Sequence, residues 1–231
     1  MRGLIHYQLL TYIRSYQYIP PLTMYILSLL INYAYTPNPI LDSYSFTSLV
    51  LFFIMGWFTV TIFHAEDPGQ KQITLFHAKS LSVYYAALFT VCLLAALVFS
   101  MISTVYPVMA GSFGIAVRSS HFILGFLAHF SLAVLAVSLS SLFTRELVKN
   151  KTNTWWGVLS ILIGSVVVSA LEKSIGWPVW LMPPLYLSLD MMSATDHIQK
   201  IPILFYGKFG WIFLYGLLCI LLFSGAVKRK M

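Results

Sequence analysis

Charge is what this chain has least of. Of its 231 residues, 9% are charged and 59% are hydrophobic, where a soluble domain carries about 25% charged residues. So few ionic groups cannot clothe a surface that faces water, so the soluble classes are excluded and an integral membrane protein is expected. Acids are the scarcer sign, 7 against 14 lysines and arginines. The net charge of +7 does not point to nucleic acid, because the basic residues form no single stripe. They stand at the ends of apolar runs, as membrane topology requires. There are 2 cysteines. Cys92 and Cys219 both lie inside apolar runs, offer no metal-ligand spacing, and read as small core residues rather than a disulfide.

Chemical engines are missing as well. There is no G-x-x-x-x-G-K-[ST]: Gly207-Lys208 is preceded by "IPILFY" and followed by Phe, so no phosphate cradle can form. H-E-x-x-H and G-x-S-x-G are absent too. Ion-coupled transport needs ionisable groups inside the bilayer. The acids Asp42, Glu66, Asp67, Glu146, Glu172, Asp190 and Asp196 fall outside the apolar runs, although Asp190 has room to sit shallowly in a half-helix. Only His121 and His129 enter a run. Eight residues apart, they would stand about 12 Å apart on a helix, too far to share a metal, and each is expected to be satisfied by a neighbour. Adjacent Glu66 and Asp67 diverge by about 100° on a helix and read as a cap, not an acid–base pair. No catalytic residue, metal or cofactor of its own is therefore expected.

What is present is apolar length. Six spans are predicted, over about 18–36, 44–64, 81–105, 120–143, 154–171 and 209–227, close to the roughly 20 residues a spanning helix needs. The expectation is one all-α transmembrane domain over 1–231, with neither repeat nor low-complexity tract. The start, "MRGLIHYQLLTYIRSYQYIPP", is broken by Arg14 and lacks a continuous apolar core, so a cleavable signal peptide is not expected there. With a cytoplasmic N-terminus, Arg2, Arg14, Lys71, Lys79, Arg145, Lys149, Lys151, Lys228, Arg229 and Lys230 lie inside, and Arg118, Lys173, Lys200 and Lys208 lie outside. The positive-inside rule then puts both termini in the cytoplasm of a plasma-membrane protein. Asn150-Lys151-Thr152, a glycosylation pattern, falls on that inner side and reads as a solvated loop.

Two segments are not expected to span. Residues 2–17 place Ile5, Leu9, Tyr12, Ile13 and Tyr16 on one helical face and should lie flat in the inner interface before Pro20 and Pro21 turn the chain. Residues 172–208 contain "GWPVWLMPPLYLSLDMM". Pro178, Pro183 and Pro184 forbid one helix and the apolar content forbids a solvated loop, so two half-helices buried against protein are expected.

Between the second and third spans stands "HAEDPGQKQITLFHAKS". Asp67 suits an N-cap and Pro68 the first helical position, Gln70 falls where a capping box would use it, and two acids oppose the positive end of the helix dipole. A helix over 68–79 follows, exposing Ile73 and Phe76. It is too short to be stable alone and must dock on something.

The flat helix 2–17, the acid-capped "EDPGQKQITLFHAKS", the "SLSSLFTRELVKNKTN" where span four ends, and the proline-interrupted outer segment together resemble the membrane subunit of type-2 ATP-binding-cassette exporters. The likeness is to the small bacterial permeases of peptide export and antimicrobial-peptide immunity. It implies a dimer of permeases, with a second copy or a related chain, above two separate ATPase subunits that supply ATP and Mg. It implies that the helix after span two is a coupling helix, with Glu66, Asp67, Gln70, Lys71, Gln72, Ile73, Phe76 and His77 as its ATPase contact. Arg145 and Glu146 would form a second contact. The absence of a large outer domain sets it apart from exporters of bulky polymers. An aromatic, hydroxyl-rich pathway including Trp57, Thr59, Tyr84 and Tyr85 would suit an amphipathic peptide or similar hydrophobic cargo. The alternatives are a non-transporting sensor or assembly subunit, and a membrane-embedded enzyme.

Overall fold

The computed structural model describes every residue except Lys79, His197, Gln199 and Met231, and all side chains of the remainder but those of Ile175 and Trp177. Among the described residues the chain is all-helical: α1 (Arg2–Arg14), α2 (Ile19–Asn32), α3 (Ile40–Phe63), α4 (Pro68–His77), α5 (Leu81–Met109), α6 (Ser119–Ser141), α7 (Lys151–Ile175), α8 (Leu185–Met192) and α9 (Ile203–Lys230), with a 3₁₀ turn at Trp177–Leu181. Five of them, α3, α5, α6, α7 and α9, are long and apolar enough to cross a membrane, with mean hydropathy between 1.8 and 2.4. This is the architecture of a multi-pass membrane protein.

The first predicted span is shorter than expected. α2 has 14 residues, about 21 Å of helix, against the roughly 30 Å of a hydrocarbon core. Pro37 and Pro39 push the residues before them out of helical geometry, and the chain leaves the helix at Tyr33. It nevertheless reaches the far end of the bundle, where Tyr33 packs edge-on against Tyr106 and Phe113 and Asn38 pairs with Phe113 in an isolated bridge.

α3 and α6 form the centre. In each, 72% of the spanning stretch is buried, against 22% in α7 and 28% in α9. Their close approach depends on Gly125, where an added Cβ would stand 2.7 Å from the Tyr44 ring. Several polar groups inside are paired. Tyr44 Oη donates to the Thr104 carbonyl at 2.9 Å, and His129 sits between the Gly125 carbonyl (2.7 Å) and the Thr47 hydroxyl (2.9 Å). Cys92 and Cys219 are buried free thiols.

α1 ends at Arg14 and does not present the face read from its spacing. Tyr12 and Gln8 are buried, with Tyr12 Oη 2.9 Å from Thr61 Oγ1 and Gln8 Nε2 donating to the Tyr84 carbonyl. Leu9, Ile13 and Tyr16 are exposed. The helix is seated on α3 and α5 by these hydrogen bonds, Leu4 and Ile5 pack partly buried against the core, and Leu9 and Ile13 face away from the bundle.

The segment between α7 and α9, expected over 172–208, is tighter than that. α7 begins three residues early because Asn150 caps it, its side chain accepting from Thr152 N–H at 2.9 Å, and runs on to Ile175. α9 begins at Ile203, earlier than expected, and within it Lys208 is paired with Asp190 of α8. Between them the 3₁₀ turn and α8 form short helical pieces. α8 buries Leu185, Leu187, Met191 and Met192 against α3, α6, α7 and α9. Asp196, just beyond α8, closes this end. Its two carboxylate oxygens accept from Ile40 and Leu41 N–H, each at 2.9 Å, and its carbonyl accepts from His121 Nε2 at 2.8 Å. Pro39, at the N-cap of α3, makes no side-chain cap bond, so the cap comes from 156 residues away. Asp196→Ala should therefore cost about 2 kcal/mol, the loss of a charged cap on two N–H groups, with Asp196→Asn costing less. Thermal unfolding in detergent measures this, and equal stability of parent and alanine variant would refute it.

Candidate functional site

The end of the bundle that carries α4 gathers most of the ionisable side chains. α4 follows α3 after a short link, and Asp67 holds its N-cap position in extended geometry with Pro68 first in the helix. The expected capping chemistry does not form: the Asp67 carboxylate makes no cap bond. The expected helix stops at His77, and Lys79 lies outside the described residues. With 10 residues it is below the length that holds in water, so tertiary ties must fix it.

Two carboxylates supply those ties. Glu66 Oε1 accepts from Tyr7 Oη of α1 at 2.9 Å and from Thr74 Oγ1 of α4 itself, while Oε2 accepts from Tyr84 Oη of α5 at 2.7 Å. One carboxylate thus joins three helices. Glu146, in the α6–α7 connection, takes Lys71 of α4 at 2.5 Å and Tyr85 Oη of α5 at 2.6 Å. Lys71 Nζ also lies 5.7 and 5.6 Å from the Tyr84 and Tyr85 ring centroids, within cation–π reach. The Glu146 side chain is 7% exposed. The same connection is held from α9, since Lys230 Nζ donates to the carbonyls of Glu146 and Leu147.

Of the eight residues expected to form an outward contact, Glu66 and Lys71 turn inward and anchor the helix. Asp67, Gln70, Gln72, Ile73, Phe76 and His77 are exposed. Ile73 is 62% and Phe76 85% exposed, so the outward face has an apolar centre with polar neighbours. Beside it a cleft of about 740 Å³ opens between α1 and α4, lined in part by Leu4, Tyr7, Gln70, Ile73 and His77. The expected second contact divides in the same way: Arg145 is exposed and Glu146 is an internal tie.

The four pathway candidates are engaged inside the subunit. Trp57 packs edge-on against Trp155 at 6.2 Å, Thr59 Oγ1 donates to the Met55 carbonyl at 2.7 Å, and the Tyr84 and Tyr85 hydroxyls bind the two carboxylates. Tyr7, Thr74, Lys230 and His64 were not singled out from the sequence. The tandem Tyr84-Tyr85 one turn into an apolar helix was the available signal, since buried hydroxyls there need partners. Among the described residues no group of three or more His, Cys, Asp or Glu stands close enough to hold a metal.

His64 caps the site. Its Nε2 accepts from Arg145 N–H at 2.9 Å, which requires the neutral ring. Burial first, then the charges of Arg145, Lys71 and Lys151, push its pKa down to about 4. Between pH 6.5 and 4 the unfolded chain binds this proton and the folded chain does not, so stability falls as the pH drops through that window. The loss amounts to about 2 kcal/mol with solvent screening allowed for, and it is fully absent above pH 6.5. His64→Gln keeps an acceptor but cannot titrate. Its unfolding midpoint should gain on the parent's as the pH is lowered from 7 to 4.5, and a pH-independent difference would rule the assignment out.

Comparison with protein-family models, with curated proteins and with solved structures finds nothing that matches this chain. What the site offers must be read from its own geometry: a short helix fixed from below by two carboxylates, with an apolar edge left open.

Proposed function

We propose that the chain is the membrane subunit of an ATP-driven exporter of the type-2 ATP-binding-cassette kind. In this reading α2 with the residues after it counts as the first of six spans, both termini are cytoplasmic, and α4 faces the cytoplasm of the plasma membrane. The observation that carries it is α4 itself. A free polar–apolar helix that presents Phe76 at 85% and Ile73 at 62% exposure, yet is tied to α1, α5 and the α6–α7 connection, is built to be pushed. A separate ATPase subunit that grips Asp67, Gln70, Gln72, Ile73, Phe76 and His77 would move the helix when ATP closes it. Glu66 would pass the displacement to α1 and α5, and Lys71–Glu146 would pass it to the head of α7. Two copies, or this chain with a related one, would enclose the pathway, and an amphipathic peptide or similar hydrophobic molecule is the cargo that the apolar bundle favours.

A non-transporting sensor or assembly subunit would use the same exposed face without nucleotide. Co-purification from native membrane separates the readings. The exporter reading expects an ATP-hydrolysing partner bound through α4, ATP-dependent flux from vesicles carrying both chains, and no ATPase activity in the pure chain. A Gln72→Cys variant should resist an impermeant thiol reagent added outside intact cells. Labelling from outside, or a partner without ATPase activity, would end the exporter reading.

A further inference from the structure

The α4 end of the bundle also collects basic side chains without acids to match. Lys230 Nζ reaches the Leu147 carbonyl at 2.5 Å, which sets the last turn of α9 against the α6–α7 connection. Lys228, Arg229 and Lys230 at the end of α9, and Arg145, Lys149 and Lys151 in and just after the α6–α7 connection, lie at this same end of the bundle, and all six are exposed. The nearby acid, Glu146, is already bound to Lys71 and Tyr85. Trp156 of α7, at this same end, is 66% exposed. Like charges crowded together repel one another until an anion covers them.

An apolar track runs into this patch. Leu218, Leu221, Leu222, Gly225, Ala226 and Arg229 line a furrow of about 550 Å³ along one face of α9. The small pair makes its notch: a Cβ added at Gly225 would meet nothing within 4 Å. Leu218, Leu221 and Leu222 are 47%, 57% and 65% exposed. Inorganic phosphate would satisfy the cations and leave the track empty, whereas a neutral lipid would fill the track and leave the cations uncovered.

We infer that this surface binds an anionic phospholipid, with its phosphate at Arg229, which lines the furrow, and the adjacent Lys228, and an acyl chain along the α9 furrow. The site requires only that the chain sit in a bilayer and does not depend on the exporter reading. The full chain, purified in mild detergent, is titrated with phosphatidylglycerol, phosphatidylcholine or sodium phosphate, and bound lipid is read by native mass spectrometry. Phosphatidylglycerol should be retained about tenfold more tightly than phosphatidylcholine, and each cation removed by Arg229→Gln or Lys228→Gln should cost about fivefold. Gly225→Leu, which fills the notch, should weaken retention of phosphatidylglycerol with the cations intact. Lys173→Gln and Lys200→Gln, at the other end of the bundle, should leave retention unchanged. Equal retention of the two lipids, indifference to Arg229→Gln and Lys228→Gln, or displacement by sodium phosphate would each overturn the assignment.

Discussion

Glu66→Ala is expected to release α4 from the bundle while leaving the long helices in place. The carboxylate accepts three hydroxyl hydrogen bonds, from Tyr7, Thr74 and Tyr84, and bonds to a charged acceptor contribute about 1.5–3 kcal/mol each. Water reaches part of this site and offsets some of the loss, so a net cost of about 3 kcal/mol is expected. Most of it falls on local opening, because the residues that unpair belong to α1, α4 and the first turn of α5. Hydrogen exchange at residues 68–77 should accelerate by about a hundredfold, the factor that such an energy implies. Exchange in the middle of α3 and α6 should hardly change. Tyr7→Phe removes one arm only and should cost about 1 kcal/mol. Glu66→Gln keeps an acceptor and should fall between the two. Were α4 exchange in Glu66→Ala the same as in the parent, the helix would have to be held by Lys71–Glu146 alone, and the triple tie would carry no weight.

The central membrane helices were legible because apolar length is written locally: the runs at 44–64, 81–105 and 120–143 became α3, α5 and α6 with ends shifted by a few residues. The first run, 18–36, is too long, and its helix is the shorter α2. Residues 33–36 fall inside that expected span, but the helix ends at Asn32, and Pro37 and Pro39 follow close behind it. α4 was legible from Asp67-Pro68 and its apolar pair, yet the manner of its fixation was not. A cap is a local signal, whereas Glu66 is held by Tyr7, 59 residues away, and Glu146 by Lys71, 75 residues away. For the same reason Glu66 and Lys71 were assigned outward and Asp196 was given no role. Charged residues bracketing a polar loop look solvated in one dimension, and only the packing of α1 and α5 beneath them decides which ones turn in. The flat face of α1 misled in the opposite sense, because Gln8 is drawn inward by a backbone carbonyl that periodicity cannot see.

Phe76→Ala should abolish most of the partner binding that the proposed function requires and cost the free chain almost nothing. Phe76 is 85% exposed, and its ring contact among the described residues is with His77 at 5.9 Å, so truncation leaves no cavity and no unpaired group. An aromatic that becomes buried at the centre of an interface contributes about 2 kcal/mol or more, so capture of the ATPase should weaken by about thirtyfold. Asp67→Lys should act in the same direction by reversing a charge at the rim, where it alters association rate and salt dependence more than the stability of the complex. Lys71→Ala would lose capture too, but through the seat of α4, and it should lower the unfolding midpoint as Phe76→Ala does not. The informative pattern is thus a variant that binds poorly and melts normally. If Phe76→Ala captured its partner as well as the parent while Arg145→Glu did not, the working contact would lie on the α6–α7 connection, and α4 would be a strut between α3 and α5 rather than the surface on which the partner pushes.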